Sequence, residues 1–419
     1  MTSIIIIIII IIIIIATSFI CTMYKAELSD KTLTQDLSLL KHLFDTDTML
    51  LQTPTRADVI SYYTRTTDID YQLLALFIGP GLHTQLTTTT TDTTCSIISF
   101  TEGNARQVMH VLKELAEVHG EKKKRKKKSA KDDHNSEDDD DDDQPPPPPQ
   151  QTTTRTTTRV LEIGFGRGYC TLMLAGLLRP TNEYEFHGID IAQRHVDVAR
   201  ADAAAAANNN LMNNNVDFRM GDAAMASSYS SSSTSSETPP LSYDLIFAVE
   251  SLCHAADTPQ RMYAVLTNAA QHLAPGGRLV IIDGFRSEQF DSSPPDQQLA
   301  MRIAERAFSI RRMHPMSEWI EGAFAAGKLK LMRLDFLTAQ ALPFWTLGWR
   351  VAHALLRHTP AWVVRRLRVS PRTVRSTDSL LAVATVAHAM RNRAAAVYGM
   401  MVFEKEEGVV VVKQEKKKK

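Results

Sequence analysis

The sequence predicts an α/β fold, a largely parallel sheet flanked by helices, and three observations predict it. Short apolar runs recur at Val160–Ile163, Tyr184–Asp190, Val216–Met220, Tyr243–Val249 and Arg278–Ile282. Stretches of helical character separate them, and strand alternating with helix is the pattern of a parallel sheet. Tyr243–Val249 is almost continuously apolar, as expected of a strand buried on both faces.

The first strand ends in Glu162-Ile163-Gly164-Phe165-Gly166-Arg167-Gly168-Tyr169, which reads as a strand turning sharply into a helix of about Tyr169 to Leu178. Glycines at alternating positions permit the turn and let a ligand approach the main chain. The free N–H groups of the helix then point at that ligand. A dinucleotide fingerprint, G-x-G-x-x-G, requires glycine at 169, where Tyr169 stands. The pattern E-x-G-x-G-x-G is matched in full, and it resembles the first motif of the class I S-adenosylmethionine (SAM)-dependent methyltransferases. The resemblance implies S-adenosyl-L-methionine as cofactor, held by Gly164, Phe165, Gly166 and Gly168. Glu162 is expected to meet its ammonium directly or through water.

The second strand ends in Asp190, about twenty residues beyond the glycines, where a doubly wound fold places a ribose-binding carboxylate. Ile191 joins the expected cofactor contacts. Asp190 also suits the N-cap of a helix over Ile191 to Ala207, and both readings stand. The third strand runs into Gly221-Asp222-Ala223. Gly-Asp is ordinary turn chemistry; the resemblance implies that Asp222, with Ala223, contacts adenine. A Pro275-Gly276-Gly277 turn leads into the fifth strand, which reaches Asp283.

Composition narrows the function. The chain has 419 residues, enough for one large catalytic domain with additions, and its formal net charge is zero. No general attraction to nucleic acid is expected. Cys21, Cys95, Cys170 and Cys253 show neither a CxxC pair nor metal-ligand spacing, so they read as free thiols in a reducing compartment with no metal site. Low-complexity runs of Thr, Lys, Asp, Pro, Asn and Ser fall between predicted elements. Doubling a surface loop costs only about 0.6 kcal/mol, so these read as expanded loops. The longest insert, 121–158, joins a basic block, an acidic block and a proline run, and is expected to be disordered. Its basic block suits a nuclear signal or polyanion binding; self-neutralisation by the adjacent acids is favoured.

Ile4 to Ile15 is unbroken isoleucine, and no charge appears before Lys25. Residues 4–24 match the roughly 20 that one membrane span needs. Free polyisoleucine would aggregate as β-structure. Residues 1–24 are therefore expected to anchor the protein on the cytoplasmic side of a membrane, the alternative being a soluble cytoplasmic protein. Residues 25–120 form a helical lead-in, with Thr55–Thr64 as its start, Asp70–Leu74 and Gly81–His83 beyond, and an amphipathic helix over Asn104–His119. This layout is similar to the small-molecule branch of class I methyltransferases, the sterol side-chain, tocopherol and quinone enzymes. That likeness implies a lid over the cofactor, with Tyr62 or Tyr63 near the methyl group; a core role for one of them is the alternative.

The fourth strand leads into Glu250-Ser251-Leu252-Cys253-His254-Ala255, similar to the Glu-x-x-Cys-His-Ala signature of sterol side-chain methyltransferases. Strand carboxyl ends face the ligand in an open α/β sheet. Glu250 and His254 are thus the catalytic candidates. His254 would serve as base for an oxygen or nitrogen acceptor. Glu250 would stabilise positive charge on an alkene or aromatic acceptor and take its proton. A cap or core role is the alternative for His254. Residues 159–285 are the expected SAM-binding core. Residues 286–405 complete the fold, with helices over Gln297–Ser309 and Ser317–Ala326 (Ser317 as cap), strands over Lys330–Phe336 and Tyr398–Glu404, and a Trp- and Arg-rich helical cap over Ala339–Arg393. Residues 406–419 are a disordered basic tail. The family resemblance implies a Rossmann-like seven-stranded mixed sheet with an N-terminal helical lid and a C-terminal helical cap. The expected function is methyl transfer to a lipophilic small molecule. A membrane-associated scaffold without catalysis, or a protein methyltransferase, are the alternatives.

Overall fold

The computed structural model describes residues 26–64, 97–132, 157–179, 183–212, 215–229, 242–327, 329–364 and 374–406. Three short helices open it: α1 (Asp30–Leu43), α2 (Thr46–Leu51) and α3 (Arg56–Thr64). A long helix, α4 (Ile97–Asp132), precedes β1 (Thr158–Ile163), α5 (Tyr169–Leu177), β2 (Tyr184–Asp190), α6 (Gln193–Asn208) and β3 (Val216–Met220). Next come β4 (Tyr243–Val249), α7 (Leu252–Ala255), α8 (Pro259–His272) and β5 (Leu273–Arg286). The last third holds α9 (Pro295–Ala307), α10 (Met316–Gly327), β6 (Leu329–Phe336), α11 (Thr338–His358), α12 (Val374–Met390) and β7 (Ala396–Lys405).

The seven strands form one mixed sheet in the order β3-β2-β1-β4-β5-β7-β6, so the expected fold class is the one observed. Strands β1 to β5 run parallel, and β7 inserts antiparallel between β5 and β6. Alternation along the strands builds a core on each face. Val160, Leu245, Phe247, Val280 and Val402 pack with α4 and α5. Leu161, Ile246, Ala248, Ile281 and Phe403 pack with α8 and α10. A separate cluster joins α1 and α9 to the α11–α12 cap, through Leu33, Leu37, Leu40, Ile303, Ala352 and Leu381.

Several expectations are corrected. Residues 121–132 are helical, the end of α4, where a disordered insert was expected. The basic block has partners there: Lys122 Nζ lies 2.9 Å from Asp244 Oδ2 and Lys123 pairs with Glu183. Buried Arg278 of β5 fixes the preceding turns by bonding Glu114, Glu117 and Glu121 at 2.8, 2.6 and 3.0 Å. Ala192, not Asp190, precedes α6 as its N-cap. Ser317 lies inside α10, where its N–H and hydroxyl donate to the Glu288 carboxylate. Cys170 and Cys253 are free thiols. The expected anchor at 4–24, the segments Asp70–Leu74 and Gly81–His83, Cys21 and Cys95 lie outside the described residues. So do 133–156 and the basic tail from 407. Among the described residues no helix is long and apolar enough to cross a membrane.

Candidate active site

One cavity of about 780 Å³ opens at the carboxyl ends of β1, β2, β4 and β5, where open α/β sheets bind ligands. Its first wall is the glycine turn. Gly164 has φ +70°, and a Cβ there would sit 2.3 Å from the Cβ of Ser251, so the β1 and β4 loops meet only because position 164 carries no side chain. Gly168, φ +82°, caps α5, and a Cβ on it would meet the Phe218 and Ala199 side chains at 2.9 and 3.1 Å. This glycine therefore seats the helix against β3 and α6, and cofactor contact is not what its geometry explains. Gly166 and Phe165 do line the cavity.

Glu162 does not line it. Strand alternation turns this side chain toward α5, where Oε2 accepts the N–H and hydroxyl of Thr171 at 3.1 and 2.5 Å. With 1% exposure it is a buried clamp on the first turn of α5. The direct ammonium contact expected of Glu162 thus has no support in its placement.

Asp190 lines the cavity, with Ile191 beside it. Its Oδ2 accepts the Gly166 N–H at 2.9 Å, and Oδ1 accepts the Ala192 N–H at 2.8 Å, 3.1 Å from His195 Nδ1. The carboxylate thus ties the end of β2 to the glycine turn of β1. Asp222 and Ala223 line the far end. Arg261 forks onto the Asp222 carboxylate at 2.8 and 3.3 Å, and Arg56 of α3 pairs with it too. The lead-in helix is thereby clipped over the site. From it Tyr63 reaches in, edge-on to His195 and to His254 at ring-centroid distances of 5.2 and 5.3 Å. Of Tyr62 only the helical backbone is described.

Glu250 and His254 both line the cavity, as the strand-end position predicts. Glu250 holds φ +50°, an uncommon conformation for a residue with a side chain, and its N–H donates to Ile282 O at 2.8 Å. Its Oε1 accepts the Tyr398 hydroxyl at 2.7 Å, and that hydroxyl accepts from Gln107 Nε2 at 2.5 Å. Burial and the neighbouring Glu250 carboxylate push the Tyr398 phenol well above its ordinary range. Asp283, within β5 where that strand passes the end of β4, is 3% exposed and also lines the cavity. Burial, reinforced by the Glu250 charge, raises its carboxyl to about 7. Burial likewise raises the Cys253 thiol.

Sequence reasoning missed His195, Arg56, Arg261, Gln107, Tyr398 and Asp283. Only Asp283 carried a usable signal, an acid ending a buried strand in the series of Asp190 and Glu250. Beyond the carboxylates the cavity turns apolar. Met301, Ala304, Phe308, Phe344, Trp345 and Val386 line it there, all from α9, α11 and α12 or their ends.

Comparisons with known proteins agree with this geometry. The methyltransferase domain family matches residues 161–279. A search of curated proteins returns no match. Among solved structures, the mycolic acid cyclopropane synthase CmaA1 is 12% identical, covering 84% of this chain and 99% of its own, with a TM-score of 0.55. The cyclopropane synthase MmaA2 from Mycobacterium tuberculosis is 14% identical over the same shares, with a TM-score of 0.54. The [4+2]-cyclase SpnF is 17% identical, covering 85% of this chain and 98% of its own, with a TM-score of 0.51. At these identities the likeness is one of fold.

A sulfonium nucleoside fits the residues present. The cavity exceeds the ~300 Å³ lower end of ligand pockets. Its turn has an open face at Gly166, where a Cβ would meet nothing within 4 Å. Carboxylates stand at the ends of β2, β4 and β5. Residues 161–279 match the methyltransferase domain family, the sheet has the order of the class I fold, and S-adenosylmethionine is the cofactor.

Proposed function

We propose that this protein transfers a methyl group from S-adenosylmethionine to a lipophilic small molecule, sterol-, quinone- or lipid-like. The observation that carries the reading is the continuity of one cavity from the Gly166–Asp190 turn to the apolar chamber under the cap. A polar acceptor would have little to bond with among Met301, Ala304, Phe308, Phe344, Trp345 and Val386. An apolar one gains about 25 cal/mol per Å² of surface removed from water.

In this reading Asp190 accepts the ribose hydroxyls, and Gly164 to Gly166 border the amino-acid tail. Asp222 and Ala223 flank the base, with half-exposed Arg56 giving way at Asp222. Glu250 and His254 face the acceptor, and Tyr63 covers the transfer position. Methyl transfer is a displacement in line with the sulfur, so positioning near 3 Å does most of the work. The mycolic acid cyclopropane synthase CmaA1 named above is consistent with an apolar acceptor. Residues 4–24 are proposed as an anchor that keeps the domain at a membrane on the cytoplasmic side.

The deciding experiment incubates the full chain with methyl-labelled cofactor and whole-cell lipid extract, followed by mass analysis. Label in an organic-soluble product supports the reading. Label confined to peptide arrays turns it to a protein acceptor. The likeness to a [4+2]-cyclase favours one further comparison, because that fold also serves chemistry with another name. Calorimetric SAM binding with no labelled product would support a role without methyl transfer. A full chain that fractionates as freely soluble and monodisperse refutes the anchor.

A further inference from the structure

We infer that Asp283, and not Glu250, is the proton acceptor of the transfer step, and that it ionises fully only when the cationic cofactor shares the cavity. The inference rests on the methyl-transfer reading above. Glu250 follows the end of β4 and Asp283 lies in the adjacent parallel β5, the two strands being in register through Val249 and Ile282. Both open onto the cavity. They differ in what already holds them.

Glu250 is committed as an acceptor. The Gln107 amide can only donate through Nε2, so the Tyr398 hydroxyl must direct its own proton to Glu250 Oε1. That relay runs through Gln107 and Tyr398, respectively 0% and 3% exposed. It commits Glu250 Oε1 as an acceptor. Asp283 is fixed differently. Its Oδ2 accepts the Cys253 N–H at 3.0 Å and its Oδ1 the Gly284 N–H at 2.8 Å. Neither donor carries a charge, and the Cys253 thiol bonds the same carboxyl as a third neutral partner.

The titratable groups acting on Asp283 are Glu250 from β4, Cys253 from α7 and Tyr398 from β7. His254 follows Cys253 on the same turn. A buried acid beside a fixed negative charge holds its proton near neutrality, here at about 7. A cation in the same cavity opposes both effects and expels that proton. Cofactor binding then arms the base before the acceptor arrives.

The balance of the step is simple. The acceptor atom gains the methyl carbon, and the carbon–sulfur pair remains on sulfur as a neutral thioether. The proton displaced from the acceptor passes to Asp283, whose charge is cancelled as the sulfonium charge disappears.

Calorimetric titration with S-adenosylmethionine in buffers of different ionisation heat measures protons released on binding, with no acceptor needed. The full-length wild type should release roughly half a proton at pH 7, and more at pH 6, by linkage. Asp283→Asn should bind the cofactor and release close to none. Glu250→Gln should move the release to lower pH, since it removes the like charge. With the acceptor supplied, Asp283→Asn should lower kcat about a hundredfold or more and flatten the acid limb of the pH profile. Wild-type binding without proton release, or equal release by Asp283→Asn, overturns the assignment while leaving the methyltransferase reading intact. Should Asp283→Asn fail to fold, the wild-type release and its displacement in Glu250→Gln decide the matter. Absence of any cofactor binding by the wild type overturns the functional reading and this inference together.

Discussion

Gly164→Ala tests whether the cofactor turn is shaped by contact with the β4 loop. Two penalties add. The residue sits at φ +70°, and a left-handed conformation costs a residue with a Cβ about 1–2 kcal/mol. The new methyl would lie 2.3 Å from Ser251 Cβ and 2.8 Å from its Oγ. Ser251 cannot swing freely, because its hydroxyl donates to Ile163 O at 2.6 Å. Overpacking of this kind costs about 1–3 kcal/mol. The sum, about 2–5 kcal/mol, is a large part of the ~5–15 kcal/mol that stabilises a typical domain. Urea denaturation of wild type, Gly164→Ala, Ser251→Gly and the double variant forms a thermodynamic cycle. Ser251→Gly alone loses a hydrogen bond, about 1 kcal/mol. In the double variant Ser251→Gly should relieve the clash and leave only the dihedral penalty, a coupling of about 1–3 kcal/mol. A coupling within about 0.5 kcal/mol of zero would refute the contact as the reason for glycine there.

Three further outcomes follow from the same geometry. Asp190→Ala should weaken S-adenosylmethionine binding at least tenfold, about 1.4 kcal/mol by calorimetry, and unchanged affinity removes the ribose assignment. Ala304→Leu adds bulk to the chamber wall, so it should depress turnover of large acceptors while leaving cofactor affinity within about twofold; loss of cofactor binding would show that the chamber is not a separate region. Buried Asp36 of α1 staples the cap, bonding Trp349 Nε1, His353 Nδ1 and His388 Nε2 at 2.8, 2.6 and 3.2 Å. Burial alone would raise its carboxyl, but the histidine and tryptophan bonds outweigh it and hold it below the usual 3.8. A depressed carboxylate stabilises the fold above the unfolded value and loses that contribution as pH falls through the folded one. Asp36→Ala should therefore destabilise by about 3–5 kcal/mol near neutrality, with the gap closing in acid melts below about pH 4. A gap that widens in acid would contradict the staple.

Much of the sheet was legible because its chemistry is local. A strand covered on both faces has no polar side, so Tyr243–Val249 and Leu279–Ile282 declare themselves as apolar runs. The strand-end acids Asp190 and Glu250 were legible for the same reason, an acid being costly at such a place without a purpose. What stayed hidden depends on partners far away in the chain. Lys122, in the helical continuation of α4, pairs with Asp244 from far along the chain, a relation no window of sequence contains. Tyr398 meets Glu250, and Gln107 meets Tyr398, only because β7 inserts beside β5 and α4 packs against the same sheet. Glu162 misled because proximity to a loop in sequence says nothing of side-chain direction. Counting by twos from Val160, which packs toward α5, would have turned it away from the cavity.

The distribution of charge explains why this turn suits a sulfonium and not a pyrophosphate. Asp222 is met by two guanidinium groups, so its negative charge is fully offset. Asp190 is met by two backbone N–H groups and an imidazole. Glu250, just past β4, accepts the Tyr398 hydroxyl, and Asp283 of β5 accepts the Cys253 and Gly284 N–H groups. Two acids therefore stand side by side where the apolar chamber begins. A dianionic pyrophosphate would be repelled from that junction, and a cation is drawn to it. In a water-poor cavity the attraction between unit charges a few ångströms apart is several-fold stronger than in bulk water. Transfer of the methyl group discharges the cation and so removes the attraction that held it. The same carboxylates that favour the charged cofactor thus favour exchange of its neutral product.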